Sequence, residues 1–359
     1  MQKSIMIVTT LLFTFWCCSS DDPVPSTSGG GGGNTNQQDN GWLIDQGEVF
    51  DGGPGKDGIP SVDKPIFLPT NQITYMSDHD LINGVSIGGA IKGYTHPVLD
   101  WHEIVNDRVG GTPISLTYCP LTGTGSAWNR LVDGKETTFG VSGLLYRNNL
   151  IPYDRETDSN WSQLRLQCVQ GALKSTQVET YLVAEMSWKT WQTMFPNENV
   201  ITTETGFARN YGRYPYGDYK VNNNNILFPL GDSDNRLPFK ERVLSLIIME
   251  KSRVYTFNHF EDGLNIINDT FMGVDVVVVG SKPDNFMIVY GNNSPLGKLD
   301  FKALDVSEGG VIMEDDLGNR WNIFGQAVSG PNEGMSLGRV DAMMGYWFSF
   351  GSFYDPEIF

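Results

Sequence analysis

Alternating apolar and polar positions dominate most of the chain and predict short β-strands joined by tight turns. Residues 85–94 alternate about Gly88-Gly89, which predicts a hairpin. Residues 243–257 repeat this pattern, with the turn predicted near Glu250-Lys251. Residues 276–279 form an unbroken run of valines, which favours a strand buried on both faces.

Two further patterns complete the predicted elements. Residues 126–132 and 136–141 flank Asp133-Gly134, a favoured two-residue turn, and predict another long hairpin. Helical spacing is confined to a few short segments, which are 97–106, 188–194 after a Ser187 cap, and an aromatic stripe from Trp347 to Phe353. The predicted fold is therefore mainly β with a few short helices, a β-rich α+β class.

The same landmarks occur twice, about 160 residues apart. Tyr94-Thr95 recurs as Tyr255-Thr256, and Trp161 recurs as Trp321. A shared order of landmarks with small slips predicts a tandem duplication of one β-rich domain, with the two copies packed together through apolar faces. The predicted organisation is a signal peptide (1–17), a tether (18–41), an extended arm (42–72), copy one (73–200), a Tyr/Arg-rich connector (201–239) and copy two (240–359).

The N-terminal segment resembles a bacterial lipoprotein signal. Lys3 precedes an apolar run at 5–16 that is too short to span a bilayer. Cys17-Cys18 follows, and then an acidic tetrapeptide that resembles the surface-export tags of Bacteroidota-type lipoproteins. We expect a lipid on Cys18, with Cys17 as the alternative, and ordinary signal cleavage as the competing interpretation. The expected location is the outer membrane with the protein surface-exposed, or facing the periplasm as the alternative.

The composition limits the classes of binding partner that we expect. Residues after the signal are rich in Ser, Gly and Asn, including five consecutive glycines, and predict a flexible tether. The formal net charge of −17 at pH 7 excludes nucleic acid as an expected partner. We expect contact with the membrane through the lipid anchor alone, which leaves a small-molecule or protein ligand of unknown identity.

The candidate chemistry lies in copy one. His102, Glu103 and Cys119 are opposite poor metal ligands and poor nucleophiles in copy two, and His96 lies six residues before His102. Imidazole and thiolate are natural ligands of copper or zinc, so His102, Cys119 and His96 form a candidate metal set. Cys119 with His102 could instead be a nucleophilic pair assisted by Glu103, or all of these side chains could be buried structural groups.

Three other segments offer weaker signals. Tyr211, Arg213, Tyr214 and Tyr216 could line a ligand groove or form a packed linker between the copies. The acidic turns at 154–161 and 315–321 could hold calcium, but Asp and Asn more often close such turns on their own backbone. The glycine-rich segment 52–58 lacks the features of a phosphate loop, and an arm folded over the domain is favoured.

Several motifs resemble one known family. They are Asp51-Gly-Gly-Pro-Gly-Lys-Asp-Gly-Ile-Pro60, His102-Glu-Ile-Val-Asn-Asp107, Thr117-Tyr-Cys-Pro-Leu121, Phe139-Gly-Val-Ser-Gly143, Tyr153-Asp-Arg155, Trp161-Ser-Gln163 and Tyr214-Pro-Tyr216. In this order they resemble the bacterial family called domain of unknown function 3179, over about residues 41–359. The resemblance implies an extracytoplasmic bacterial protein and brings no established activity. The family pattern has a second cysteine after Cys-Pro-Leu, where this chain has Thr122, so chemistry by paired thiols is in doubt here.

Three functions remain open from the sequence. The first is a ligand- or metal-binding module of the cell envelope, with its site in copy one. The second is an envelope enzyme that uses Cys119 or a bound metal. The third is a structural or adhesive surface protein without an active site.

Overall fold

The computed structural model describes residues 41–231, 233–293, 295 and 297–359. The predicted signal peptide, with Cys17, and the tether up to residue 40, with Cys18, lie outside the described residues. The described chain belongs to one compact unit, Asn40–Phe359. None of its helices has the length and apolar character needed to cross a membrane.

The described residues are mainly β, as predicted. The strands before the connector are β1 (Val49–Asp51), β2 (Phe67–Pro69), β3 (Leu81–Ile87), β4 (Ala90–Thr95), β5 (Ile104–Val109), β6 (Thr112–Cys119), β7 (Thr124–Asn129), β8 (Leu131–Val132), β9 (Lys135–Glu136), β10 (Phe139–Tyr146), β11 (Asn149–Asp154), β12 (Asn160–Ser162), β13 (Gln167–Gln170), β14 (Thr180–Tyr181), β15 (Ala184–Ser187) and β16 (Asn199–Ile201).

After β16 ends at Ile201, the rest of the connector has no strand among its described residues, and the strands resume after it. They are β17 (Arg242–Ile248), β18 (Lys251–Thr256), β19 (Asn265–Phe271), β20 (Val274–Ser281), β21 (Phe286–Gly291), β22 (Phe301–Ala303), β23 (Val311–Asp315), β24 (Arg320–Asn322), β25 (Ala327–Ser329), β26 (Asp341–Tyr346) and β27 (Glu357–Ile358). The helices are α1 (His96–His102), α2 (Trp188–Met194) and α3 (Trp347–Tyr354), with 3-10 turns at Gln46–Glu48, Thr70–Gln72, Phe257–Phe260 and Glu308–Gly310.

Strand pairing repeats between the two copies. One sheet of copy one has the order β15-β3-β4-β16-β2, and copy two has β26-β17-β18-β27. In both sheets the last strand of the copy pairs in parallel, β16 with β4 and β27 with β18. The meander β5-β6-β7 corresponds to β19-β20-β21, and β10-β11-β12-β13 corresponds to β22-β23-β24-β25. This agreement supports the alignment of the copies, while the duplication event itself stays an interpretation.

The copies interlock through their aromatic helices. Trp188 and Trp191 of α2, in copy one, pack in a core with apolar residues of copy two. Phe195, which follows α2, has its ring centroid 5.5 Å from that of Phe324 in copy two. In the opposite direction, Phe353 of α3 lies edge-on to Tyr146 of copy one, with ring centroids 5.2 Å apart. Each copy therefore supplies the helix that covers part of the other's apolar surface.

The arm folds onto copy one and extends its sheets. β1 pairs with β10, and β2 pairs with β16. Arg155 holds the turn between these strands through ion pairs to Asp57 at 2.9 Å and Asp63 at 3.2 Å. The connector is held by Lys240, whose ammonium donates to the carbonyl oxygens of Tyr219, Asn222 and Asn225. The connector is held against copy one by Tyr219, whose hydroxyl donates to the carbonyl oxygen of Leu121, and by Lys220, which pairs with Asp100.

Most predicted elements are confirmed, and two need correction. The hairpin about Gly88-Gly89 and its copy-two counterpart are present, and so are α2, with Ser187 as its cap, and α3. The helix predicted over 97–106 ends at His102, because Glu103 has a φ of 57° and Ile104 begins a strand paired with β6. The Asp133-Gly134 turn joins only β8 and β9, while β7 and β10 lie in different sheets.

The two acidic turns have an architectural role. The carboxylate of Asp154 accepts a hydrogen bond from the indole nitrogen of Trp161 at 3.0 Å. In copy two, Asp315 accepts the same bond from Trp321 at 2.9 Å, and also bonds the backbone N–H groups of Leu317 and Asn319. The carboxylate oxygens thus close the turn and anchor a buried tryptophan in each copy.

We predict that Asp315→Ala lowers the free energy of unfolding by about 3 kcal/mol, because buried donors lose their acceptor. Asp316→Ala is the matched control, since Asp316 is exposed on the same turn, and we expect its effect to stay within about 0.5 kcal/mol. Urea unfolding followed by tryptophan fluorescence measures both. Equal stability of the two variants would contradict the architectural role, as would a large stabilisation of the parent protein by calcium.

Candidate functional site

A cavity of about 350 Å³ opens in copy one beside α1, and we call it the polar cleft. Its walls come from α1, β6, β15 and the connector, with Arg242 and Tyr346 contributed by copy two. The volume lies within the range of small-molecule sites. Ionisable and phenolic side chains dominate its lining, so it differs from the apolar core around it.

Glu185 of β15 is the most deeply buried charge in the cleft. One carboxylate oxygen lies 3.1 Å from Nε2 of His96, and the other forms an ion pair with Arg242. Burial alone would raise the pKa of Glu185, but Arg242 and His96 outweigh it and lower the pKa to about 2. Glu185 is therefore a carboxylate at any physiological pH, with a cation from the other copy fixed against it.

Asp100 of α1 leaves one polar atom unused. Oδ2 of Asp100 accepts a hydrogen bond from Lys220 at 2.7 Å, while its Oδ1 is buried without a partner in the described part of the chain. His96 is also buried, and its Nε2 pairs with the Glu185 carboxylate. Burial raises the pKa of Asp100 against the opposing effects of Lys220 and His96. Both side chains line the cleft and can bond a bound molecule.

Tyrosines supply the remaining walls. Tyr118 and Tyr346 are almost fully buried, yet both line the cleft. Tyr214 completes the set, and its hydroxyl is 3.4 Å from the carbonyl oxygen of Pro120. Burial raises the pKa of all three phenols, so they stay protonated and can donate as well as accept.

Copy two fills the corresponding place with apolar groups. In the alignment of the copies, Phe257 follows Thr256 where His96 follows Thr95, and Met344 occupies the β26 position that Glu185 has in β15. Both are part of an apolar core. A side chain at Gly280, the counterpart of Tyr118, would collide with the Phe260 ring. The hollow, charged interior is thus a feature of copy one.

His102 is engaged in structural hydrogen bonds rather than facing the cleft. Its Nδ1 lies 2.7 Å from the carbonyl oxygen of Pro60, and its Nε2 lies 2.7 Å from the hydroxyl of Tyr211. Burial is the main cause that lowers its pKa. Because both ring nitrogens are occupied, His102 ties the arm and the connector to α1.

Glu103 and Cys119 lie near each other, and neither lines the polar cleft. Glu103 is 6% exposed, and burial raises its pKa to about 7, opposed by a hydrogen bond from Tyr216. Burial and then Glu103 raise the pKa of the Cys119 thiol to about 11. A thiol of that acidity is a poor nucleophile at neutral pH. Glu103 borders a second cavity, whereas Cys119 is a core side chain.

The proposed metal set is not assembled in the described part of the chain. No group of three or more His, Cys, Asp or Glu side chains there is arranged to hold a metal ion. His96 lines the polar cleft, while His102 and Cys119 have other partners. Cys119 and Cys168 are both free and buried. Copper, zinc and calcium binding therefore gain no geometric support.

The four connector residues separate into two groups. Tyr211, Arg213 and Tyr214 line the polar cleft, as a ligand groove would require. Tyr216 instead borders the second cavity, beside Glu103. The connector is thus both a packed linker and a wall of two cavities.

Sequence reasoning missed the central residues of the cleft. They are Asp100, Tyr118, Glu185, Lys220, Arg242 and Tyr346. Two signals were present in the alignment of the copies, since Glu185 stands opposite Met344 and His96 opposite Phe257. A buried position that is polar in one copy and apolar in the other indicates a specialised interior.

Comparison with known proteins gives a family without a function. The family model described as "Protein of unknown function (DUF3179)" matches residues 56–357, which is most of the chain. The chain belongs to this family. No curated protein and no solved structure shows significant similarity to it. The family assignment from sequence motifs is confirmed, and the function has to be argued from the site itself.

We predict that Cys119 and Cys168 resist alkylation in the folded protein. Burial raises the pKa of each thiol to about 11, so the thiolate fraction at pH 8 is about a hundredfold below that of a thiol with a pKa of 9. Iodoacetamide labelling at pH 8, resolved by peptide mass spectrometry, should modify these residues at least about a hundredfold faster after unfolding in urea. Rapid labelling of native Cys119 would contradict the buried, unreactive thiol.

Proposed function

We propose that this protein binds a small, neutral, hydroxyl-rich molecule of the sugar or polyol class in the polar cleft of copy one. The observation that carries the proposal is a buried, unpartnered carboxylate oxygen in that cleft, Oδ1 of Asp100. Buried polar groups are normally hydrogen-bonded. A ligand hydroxyl group can donate to this oxygen, and a neighbouring hydroxyl can reach the other polar side chains of the cleft.

The charges in the cleft favour a neutral ligand. Glu185 is already neutralised by Arg242 and flanked by His96, and Asp100 is paired with Lys220. A cationic ligand would therefore have to displace Arg242 or Lys220, and an anionic ligand would have to displace Glu185 or Asp100. A hydroxyl group, which donates and accepts, can bond these side chains without breaking their ion pairs.

The walls fit the same class of ligand. Tyr118, Tyr214 and Tyr346 present neutral hydroxyl groups and ring surfaces, and sugars have both hydroxyl groups and apolar C–H faces. Aromatic side chains contribute contact area together with a polar group. The cavity of about 350 Å³ is large enough for one or two sugar rings. In this proposal copy two is a scaffold that also contributes Arg242 and Tyr346 to the cleft.

The other two functions have less support. An enzyme using Cys119 would need an accessible thiolate, and this thiol is buried with a raised pKa. A purely structural role gives no reason for an unpartnered, buried carboxylate oxygen beside an open cavity. We therefore place binding first.

We predict saturable binding of a subset of neutral sugars, with a Kd that rises at least about tenfold in Asp100→Asn. The substitution keeps the size of the side chain but removes its charge and replaces one acceptor oxygen by an NH2 group, while the remaining oxygen can still face Lys220. Loss of a buried hydrogen bond to a charged group costs about 1.5–3 kcal/mol. Tyr118→Phe should weaken binding through loss of one cleft hydroxyl. A glycan array followed by isothermal titration calorimetry measures these effects.

Tyr255→Phe is the matched control, because the Tyr255 hydroxyl donates to Asp269 in copy two, away from the cleft. We expect its affinity to equal that of the parent protein. Binding of amino acids but not of sugars would replace the proposed ligand class. Sugar binding unaffected by both Asp100→Asn and Tyr118→Phe would remove the cleft as the site.

We further propose that the protein is an outer-membrane lipoprotein anchored through Cys18. The support is the N-terminal sequence, in which Lys3 and an apolar run precede Cys17-Cys18 and an acidic tetrapeptide. Two or more acyl chains would hold the domain on a membrane without a spanning helix. Surface exposure, rather than a periplasm-facing orientation, follows from the resemblance of the acidic segment to an export tag.

We predict that Cys18→Ala abolishes incorporation of labelled palmitate, while Cys17→Ala retains it. Cys17 would lie just before the cleavage site, where a small residue suffices, so alanine is a matched control. Metabolic labelling and mass spectrometry of the mature N-terminus distinguish the two. Labelling lost in Cys17→Ala alone would move the anchor to Cys17, and labelling unchanged in both would support ordinary cleavage.

A further inference from the structure

A second cavity of about 450 Å³ lies on copy one, bounded by three separate segments. The arm contributes Ile59, β10 contributes Val141 and Leu145, and the connector contributes Leu227 and Phe228. These side chains are apolar, in contrast to the lining of the polar cleft. We call this cavity the apolar pocket. Its volume is that of a small-molecule site.

Among the described residues, Glu103 is the one charged side chain that lines the apolar pocket. It is 6% exposed, and its carboxyl accepts a long hydrogen bond from the Tyr216 hydroxyl, 3.4 Å from Oε1. None of the described residues that line the pocket is a Lys, Arg or His. A buried carboxyl without a cationic partner is costly, and a bound cation would remove that cost.

The backbone holds Glu103 in this position at the end of α1. Its N–H donates to the carbonyl oxygen of Leu99 at 2.8 Å, and its own carbonyl accepts from Tyr118 at 2.6 Å. Its φ of 57° lies in the left-handed region, where a residue with a side chain is strained. Asn265 stands opposite Glu103 in copy two, and it lies in β19 without a positive φ. Of these two equivalent positions, only the one whose carboxyl borders a cavity has the strained geometry.

We propose that the apolar pocket binds an apolar amine, that is, an alkyl or arylalkyl chain bearing one protonated amino group. The chain would replace water against the aliphatic walls, and the ammonium would form a charge-assisted hydrogen bond with Glu103. The formal net charge of −17 also favours a cation over an anion. This site is separate from the polar cleft, so it does not depend on the function proposed for that cleft.

Three ligands with the same chain test the role of the charge. They are n-octylammonium, octan-1-ol and octanoate, titrated calorimetrically into the mature protein at pH 8, where Glu103 is ionised because its pKa is about 7. We expect the ammonium to bind at least about tenfold more tightly than the alcohol, and octanoate to bind most weakly. Nuclear Overhauser contacts from the octyl chain to the methyl groups of Val141 and Leu145 would place it in the pocket.

Glu103→Gln should abolish the preference for the ammonium and leave the alcohol's affinity unchanged, because only the charge is removed. Glu333→Gln removes one negative charge at an exposed position and should keep the preference. Asp100→Asn should also keep it, which separates this site from the polar cleft. Equal binding of all three ligands, no binding of any, or an ammonium preference that survives in Glu103→Gln would each overturn the proposal.

Discussion

The exchange of aromatic helices between the copies is the packing on which the remaining structure depends. α2 of copy one, with the Phe195 that follows it, and α3 of copy two bury aromatic side chains against the other copy, and such side chains contribute the most apolar area per residue. Two sheets that each expose an apolar face cannot stand alone in water. The same exchange brings the start of β17 and the end of β26 to copy one. Arg242 and Tyr346 reach the polar cleft for that reason.

The two copies show how one scaffold can either fill or open the same interior position. Copy two places Phe257 and Met344 where copy one has His96 and Glu185, and its core is closed. Charged groups in copy one cannot pack together as tightly, since each needs a counter-charge or a hydrogen-bond partner. Arg242 and Lys220 supply the counter-charges, and a cavity remains between them. A polar cavity can arise in this way without a change in topology.

Short-range patterns predicted the local elements well, and errors appeared where strand pairing overrode the predicted element. The Gly88-Gly89 hairpin and α2 depend on turn chemistry and capping within a few residues. The helix predicted over 97–106 ends early because the segment from Ile104 pairs with β6, the next strand along the chain, and bridges to Val62 of the arm. The strands beside Asp133-Gly134 separate into different sheets, because β7 pairs with β6 while β10 pairs with β11 and with β1 of the arm. Strand pairing outweighed the local pattern in both places.

The sequence by itself determined the β-rich class, the family, the recurring motifs and the chemical difference between the copies. Each of these depends only on the order and spacing of residues. It also singled out Glu103 and the tyrosines of the connector. Tertiary structure alone decided which of these groups meet. Asp100, Glu185 and Lys220 are far apart along the chain, and they converge because α1, β15 and the connector pack at one edge of copy one. The sequence predicted that His102 and Cys119 share a site, but in the fold they bond different residues, Tyr211 and Asn148. Burial and hydrogen bonding depend on positions in space rather than in sequence.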